Sequence, residues 1–190
     1  MDGVCEKRCV KERGEGMSRG TEEAVMQYAI AAHLGEKNIV IPNVSFARTS
    51  CRIEKHDKDG RFIGYEYPFK GVRHEADLIW INENDYLTEV EIKVSYSDFL
   101  ADFKKKEKHI TKYTKAVYYA FPWDMYKENE EKIKQMLVEK FPEAGVIIVG
   151  IGGFAVGMIK NAEYFNVKKI PIEVKTGLMR IGCQKWWRRK

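Results

Sequence analysis

The spacing of apolar residues changes several times along the chain. Over residues 21–34, Val25, Ala29 and Ala32 recur at helical spacing. Ser18 or Thr21 is placed to cap this segment, Glu22 and Glu23 suit the positive end of its dipole, and Gly35 stops it, so an amphipathic helix is predicted. Ile39-Val40-Ile41-Pro42 and Val44-Ser45-Phe46 read as extended chain interrupted at the proline. Two strongly β segments follow, 75–81 and 86–94, and their link Asn82-Glu83-Asn84-Asp85 predicts a hairpin. Ser95 or Ser97 then caps a helix expected to reach about His109, with Phe99, Leu100 and Phe103 on one side and the lysines elsewhere. A buried strand over 116–121 ends at Pro122, and a helix over 127–140 carries Ile133, Met136 and Leu137 on one side. A strand over 145–150 and an edge strand over 154–159 complete the pattern, and the last twenty residues have no clear period. Strands alternating with helices require parallel neighbours, so the expected fold class is mixed α/β with its antiparallel part first.

One polar stretch invites a different reading. In His56-Asp57-Lys58-Asp59-Gly60, the residues Asp57, Asp59, Gly60 and Glu66 fall at positions 3, 5, 6 and 12 of a calcium loop. Position 1 would be Lys55, a cation, and β-like Arg61-Phe62-Ile63 follows, so the segment is read as a hairpin turn.

Composition narrows the class. A length of 190 residues suits one domain, and 44% hydrophobic, 32% charged and 12% aromatic residues exclude disorder over most of it. Residues 1–17 mix charge with glycine and are expected to be a loose tail, 18–160 the main domain and 161–190 a basic and aromatic extension. No run of about 18 uncharged apolar residues occurs, and residues 1–20 carry charges where a secretory signal needs an apolar stretch, so neither a membrane span nor export is expected. Cys5, Cys9, Cys51 and Cys183 are too scattered for a disulfide scaffold and lack the partner pair of a zinc site, which fits a reducing, cytoplasmic setting. The net charge of +5 is mild, but Lys104, Lys105, Lys106, Lys108, Lys112 and Lys115 crowd one stretch and the chain ends Lys185-Trp186-Trp187-Arg188-Arg189-Lys190. Either a phosphate-bearing partner or simple solvation accounts for such runs.

The acidic residues of the hairpin are harder to explain as surface. Strand periodicity puts Glu89, Glu91 and Lys93 on one face, with Val90, Ile92 and Val94 on the other. A solvated face is one reading. Against it, Asp77 sits among Ala76, Leu78, Ile79, Trp80 and Ile81, where a lone carboxylate is costly without a cation or metal. Pairing the two strands brings Asp77 within reach of Glu91 and Lys93. Two carboxylates suit Mg²⁺, which takes one or two of them and leaves positions for water and phosphate oxygens. A lysine beside them orients the attacking water, helps remove its proton or balances charge on a phosphate.

Asp77, thirteen residues, then Glu91-Ile92-Lys93, on two consecutive strands after a helix, resembles the PD-(D/E)XK nuclease superfamily. The longer run is closer still: His74-Glu75-Ala76-Asp77-Leu78, then Thr88 through Ser95, then Asp98-Phe99-Leu100 with Asp102, then Tyr118-Tyr119-Ala120-Phe121-Pro122. It is similar to the MmcB-like branch, associated with DNA repair and with phage and bacterial genomes. The resemblance spans about 21–158. It implies a restriction-endonuclease-like core of a helix, a three-stranded antiparallel part, a helix and a parallel strand, here with an added C-terminal helix and strands. It also implies that Asp77 and Glu91 bind Mg²⁺, for which Mn²⁺ substitutes, that the backbone carbonyl of Ile92 adds a ligand, and that Lys93 acts on the attacking water. Many members add an acid from the first helix, and Glu22, three residues before Val25, is the candidate ahead of Glu23. Where the superfamily often has proline before the first acid, this chain has Ala76. Glu89 is either a ligand of a second metal or a bystander, and His74 and His109 are either phosphate contacts or ordinary polar residues.

The leading expectation is therefore a Mg²⁺-dependent deoxyribonuclease acting on DNA, with RNA not excluded. Lys104, Lys105, Lys106, Lys108 and His109 would contact phosphate, and Trp186 and Trp187 would stack on bases or cap the core. A catalytically silent nucleic-acid-binding module with the same fold is the alternative. A third reading is an interaction domain whose polar face is merely solvated.

Overall fold

The computed structural model describes residues 19–49, 51–105, 110–150, 152 and 155–188. The first helix, α1 (Arg19–Leu34), leads into β1 (Ile39–Ser45), a short 3₁₀ turn (Phe46–Arg48), and a two-stranded ribbon of β2 (Ile53–His56) and β3 (Phe62–Glu66). The central hairpin is β4 (Glu75–Ile81) and β5 (Leu87–Ile92), followed by α2 (Tyr96–Asp102), β6 (Thr114–Pro122), α3 (Trp123–Lys140), β7 (Gly145–Val149), β8 (Val156–Lys160) and α4 (Ile172–Arg188). The expected tail 1–17, with Cys5, Cys9 and the cap candidate Ser18, lies outside the described residues, as do Lys106, Lys108, His109 and the last two residues.

Six strands form one mixed sheet in the order β1-β4-β5-β6-β7-β8. β1, β4 and β5 are antiparallel, while β5, β6 and β7 run parallel because α2 and α3 are their crossovers. β8 returns antiparallel along β7 at the edge. The 57–60 turn is the tip of the ribbon: Asp57 Oδ1 accepts the backbone N–H groups of Asp59 and Arg61, and Gly60 takes φ +78°.

Three expectations are corrected. Helix α2 stops at Asp102 rather than about His109, closed by turn bonds from the N–H groups of Lys104 and Lys105. Continuing it would stack Lys104, Lys105 and Lys108 at three- and four-residue spacing, where like charges repel. The buried stripe of α1 is Met26, Ala29 and Ile30, while Ala32 is exposed, so the sheet-facing side is rotated from the one read through Val25. Residues 161–188 are not an appendage either. Ile170, Val174 and Leu178 are buried in one cluster with Ile41, Ile79 and Leu87, and Lys175 pairs with Asp85 in the β4–β5 turn at 2.5 Å.

The two faces of the sheet bury different things. Leu78, Trp80, Val90, Ile92, Ala116 and Tyr118 pack under α1. On the other face lie two apolar clusters, one beneath α4 and one built from Phe99 of α2, Tyr119 and Phe121 of β6, and Ile133 and Leu137 of α3. Every residue of β5 is buried, so Glu89, Glu91 and Lys93, which follows the strand, form a polar stripe on the second face, inside the molecule. A solvated face is ruled out.

Candidate active site

The site forms where the regular ladder fails. β4 and β5 are paired only from Leu78 with Val90 to Ile81 with Leu87. One residue further the Asp77 carboxylate stands in for the missing strand partner, and its Oδ2 accepts the Ile92 N–H at 2.8 Å. Opposite Asp77 on the other side, Asn43 interrupts the β1–β4 ladder at φ +52°. Around this level both strands change phase: Ile41 and Val44 share a cluster, as do Ile79 and Ala76, although each pair is three residues apart. A side chain in the left-handed region is a cost that surrounding contacts must hold in place. Gln27 of α1 supplies them: its Nε2 donates to Asn43 Oδ1 at 2.7 Å, to the Asp77 carbonyl at 2.9 Å and to Glu23 Oε1 at 3.1 Å. Lys185 of α4 donates to the Asn43 carbonyl.

Behind Asp77 the buried stripe continues as an ionic network. Lys93 Nζ lies 3.0 Å from Glu91 Oε2 and 3.1 Å from Asp102 Oδ1, with Lys93 and Asp102 each 4% exposed. Asp102 also accepts from the Tyr119 hydroxyl at 2.9 Å and from Lys105 at 2.7 Å. Ser95 caps α2 by accepting the Asp98 N–H, and Phe99 anchors the helix in the core, which fixes where Asp102 arrives.

Charge sets the protonation states. Burial and the neighbouring Glu91 carboxylate push the Asp77 pKa up to about 7, against the opposing pull of Lys93 and the Ile92 N–H. Burial works against the Lys93 ammonium, yet Glu91, Asp102 and Asp77 outweigh it and hold its pKa above the ordinary lysine value. Lys93 in this arrangement is a cation and hydrogen-bond donor, not a base. The Tyr119 hydroxyl is pushed up by burial and by Asp102, and so remains a donor.

Asp77, Glu91 and Lys93 are thus brought together as hairpin pairing suggested, while Ile92, expected to offer its carbonyl, is seen here through its N–H bound to Asp77. The first-helix acid is corrected: Glu23, which shares the stripe of Met26, Gln27 and Ile30, is the one tied to the site through Gln27 and acting electrostatically on Asp77, rather than Glu22. Glu89, the candidate for a second metal, is engaged by His74 at 2.8 Å and by the Thr114 hydroxyl, and burial raises its pKa. Replacing His74 by Ala is expected to cost about 1–3 kcal/mol of stability, because it leaves a buried carboxylate short of a donor. Divalent-cation affinity, read by titration calorimetry, stays within about twofold; a larger loss would bring Glu89 back into the metal set.

Lys104 and Lys105 follow α2 and are exposed, with Lys105 leaning on Asp102. In the sequence Asp102 stands only as part of the longer run, and Gln27 and Asn43 carry no signal of a place in the site. One signal for Asp102 existed, since it lies three residues after Phe99 and so on the buried side of its helix. Beside Asp102 opens a cavity of about 460 Å³, lined by Phe103, Tyr119, Phe141, Phe165, Lys105 and Lys140, among others.

The donor set fits a hard divalent cation. Asp77 and Glu91 would offer it two carboxylates, and a bound cation would offset the burial and the Glu91 charge that raise the Asp77 pKa. No cluster of three or more Asp, Glu, His or Cys side chains with metal-binding geometry occurs among the described residues, so the remaining positions of such an ion would fall to backbone, water or substrate oxygens.

No family model and no curated protein matches the chain. A solved structure, the SPO1766 protein of unknown function from Silicibacter pomeroyi, is similar over 87% of this chain and 84% of its own, at 17% sequence identity and a TM-score of 0.49. No helix among the described residues is long and apolar enough to cross a membrane.

Proposed function

We propose that the protein is a metal-dependent nuclease of the PD-(D/E)XK type, hydrolysing phosphodiester bonds of DNA, with a restriction-endonuclease-like core running from α1 through β6. The observation that carries this reading is the Asp77 carboxylate bridging the splayed strands to Ile92, next to buried Glu91 and Lys93. Burying two acids and an amine at one broken ladder is expensive for a fold that gains nothing else from it. Asp77 and Glu91 would hold Mg²⁺ or Mn²⁺, with the Ile92 carbonyl as the further ligand that the resemblance implies. The ion, when bound, supplies Lewis-acid activation of water and phosphate. Lys93 presents an ammonium that orients the attacking water and offsets charge gathering on the phosphate. Glu23 and Gln27 hold the Asp77 backbone in register, and Lys104 and Lys105 meet the phosphates of the strand. The MmcB-like resemblance favours a role in DNA repair or in processing phage and mobile-element DNA.

The test is cleavage of labelled single-stranded, duplex and branched DNA in Mg²⁺, Mn²⁺ or EDTA, comparing wild type with Asp77→Ala and Lys93→Ala. Metal-dependent cutting lost in Asp77→Ala and reduced to a slow residual rate in Lys93→Ala is the expected result. Salt-sensitive binding without cutting, unchanged by either substitution, would replace this reading with a binding module.

A further inference from the structure

From the buried network we infer that Asp102 is the positioning residue for Lys93: it fixes the ammonium beside Glu91 and keeps it there when the Glu91 carboxylate is engaged by a cation. This rests on the nuclease reading and extends it to a residue outside the two acids and the lysine of the motif.

Three observations support it. First, Lys93 has two anionic contacts at nearly equal distance, Glu91 at 3.0 Å and Asp102 at 3.1 Å. Glu91 is also a metal ligand in the proposed reaction. A carboxylate drawn to a divalent cation gives less to an ammonium, so a lysine tied to Glu91 alone would lose its place when the site is loaded. Asp102 comes from a different element and stays.

Second, Asp102 is itself fixed at both oxygens. Oδ1 receives Lys93 and Lys105, and Oδ2 receives the Tyr119 hydroxyl. Tyr119 stands opposite Glu91 in the β5–β6 ladder, with its ring packed against Phe99, Phe103 and Phe121. The hydroxyl, the carboxylate and the ammonium therefore form one chain from a rigid strand to the reacting side chain.

Third, α2 is seven residues long and ends at Asp102, yet it has both a serine cap and a fully buried anchor in Phe99. So short a helix has little stability of its own, and both fixtures serve to deliver its last residue to one point. The fourth carboxylate of the region, Glu89, is occupied elsewhere with His74 and Thr114, so it does not replace Asp102.

The test is a double-mutant cycle on single-turnover cleavage, using wild type, Asp102→Asn, Lys93→Ala and the double variant, with Tyr119→Phe as a gentler probe that removes only the hydroxyl. Substrate KM and Mn²⁺ affinity without nucleic acid are measured alongside. Asp102→Asn is expected to slow the cleavage step about 10–100-fold, the scale seen when a supporting partner is lost, with KM and Mn²⁺ affinity within about twofold of wild type. Tyr119→Phe should slow it about 3–10-fold in the same pattern. In the Lys93→Ala background, Asp102→Asn should add nothing. Additive losses, or losses in KM or Mn²⁺ affinity with the cleavage step intact, would overturn the assignment while leaving the nuclease reading standing. A wild-type protein that binds Mn²⁺ and never cuts would overturn both.

Discussion

Asp77→Asn is expected to abolish cleavage, by about 10³-fold or more, while making the metal-free protein more stable. The two effects share one cause. Asparagine keeps an oxygen that accepts the Ile92 N–H, so the strand bridge survives, but it brings no charge to hold a cation. The carboxylate it replaces has a pKa raised from 3.8 to about 7 by burial and by Glu91. A folded-state pKa above the unfolded one means that the fold binds the proton more tightly. Stability therefore falls as pH rises from about 4 to about 7, and the whole penalty is present above that. Taken at face value the shift is worth about 4 kcal/mol, and partial solvent access reduces the gain on substitution to about 2 kcal/mol. For a chain of this size that is a rise of about 4–8 °C in melting temperature at pH 8 in EDTA, shrinking to nothing near pH 4. Calorimetry at both pH values checks it. A variant no more stable at pH 8 than wild type would mean that Asp77 is not held against its charge.

Lys93→Ala should behave in the opposite way. It too should lose activity, but it removes the ammonium that touches both Glu91 and Asp102; Asp102 keeps Lys105 and the Tyr119 hydroxyl, while buried Glu91 loses its ion pair with Lys93. Breaking such a pair costs about 3–5 kcal/mol at neutral pH, on the order of 10 °C. In the wild type the raised lysine pKa contributes stability at every pH below about 10, and that contribution fades only as pH rises through the folded-state value. In the variant the buried negative charge has lost that cation, and adding a proton offsets the loss, so stability is recovered as pH falls. The expected sign is a melting-temperature deficit that is large at pH 7.5 and smaller at pH 5. A deficit independent of pH would mean that the loss is one of packing. Because Lys93→Ala perturbs the fold and Asp77→Asn does not, an activity lost in both is assigned to chemistry only when the asparagine variant melts at or above wild type.

Much of this architecture was legible in the residues. Alternating β-branched and aromatic runs located β4, β5, β6 and β7 within a residue or two, and the intervening helices required β5, β6 and β7 to be parallel. The approach of Asp77 to Glu91 and Lys93 followed from hairpin pairing alone. Helix facing was less legible: with Val25, Met26, Ala29, Ile30 and Ala32 all apolar, α1 has two overlapping stripes, and only packing selected the one that carries Glu23. Helix length failed at α2, because the pull of Lys93 on Asp102 and the crowding of lysines act against a continuous apolar spacing.

The sequence by itself determined the order of strands and helices and the strand face shared by Glu89, Glu91 and Lys93, because both follow from local periodicity and short-range connection. Tertiary structure alone decided that this face is buried, since neither α4 nor α3, which pack against the same face, is near β5 in sequence. It also decided the separate fates of Glu89 and Glu91. Two residues apart and chemically identical, one is consumed by His74 and Thr114 and the other shares a lysine with Asp102. Those partners come from elements that meet only when the chain has folded.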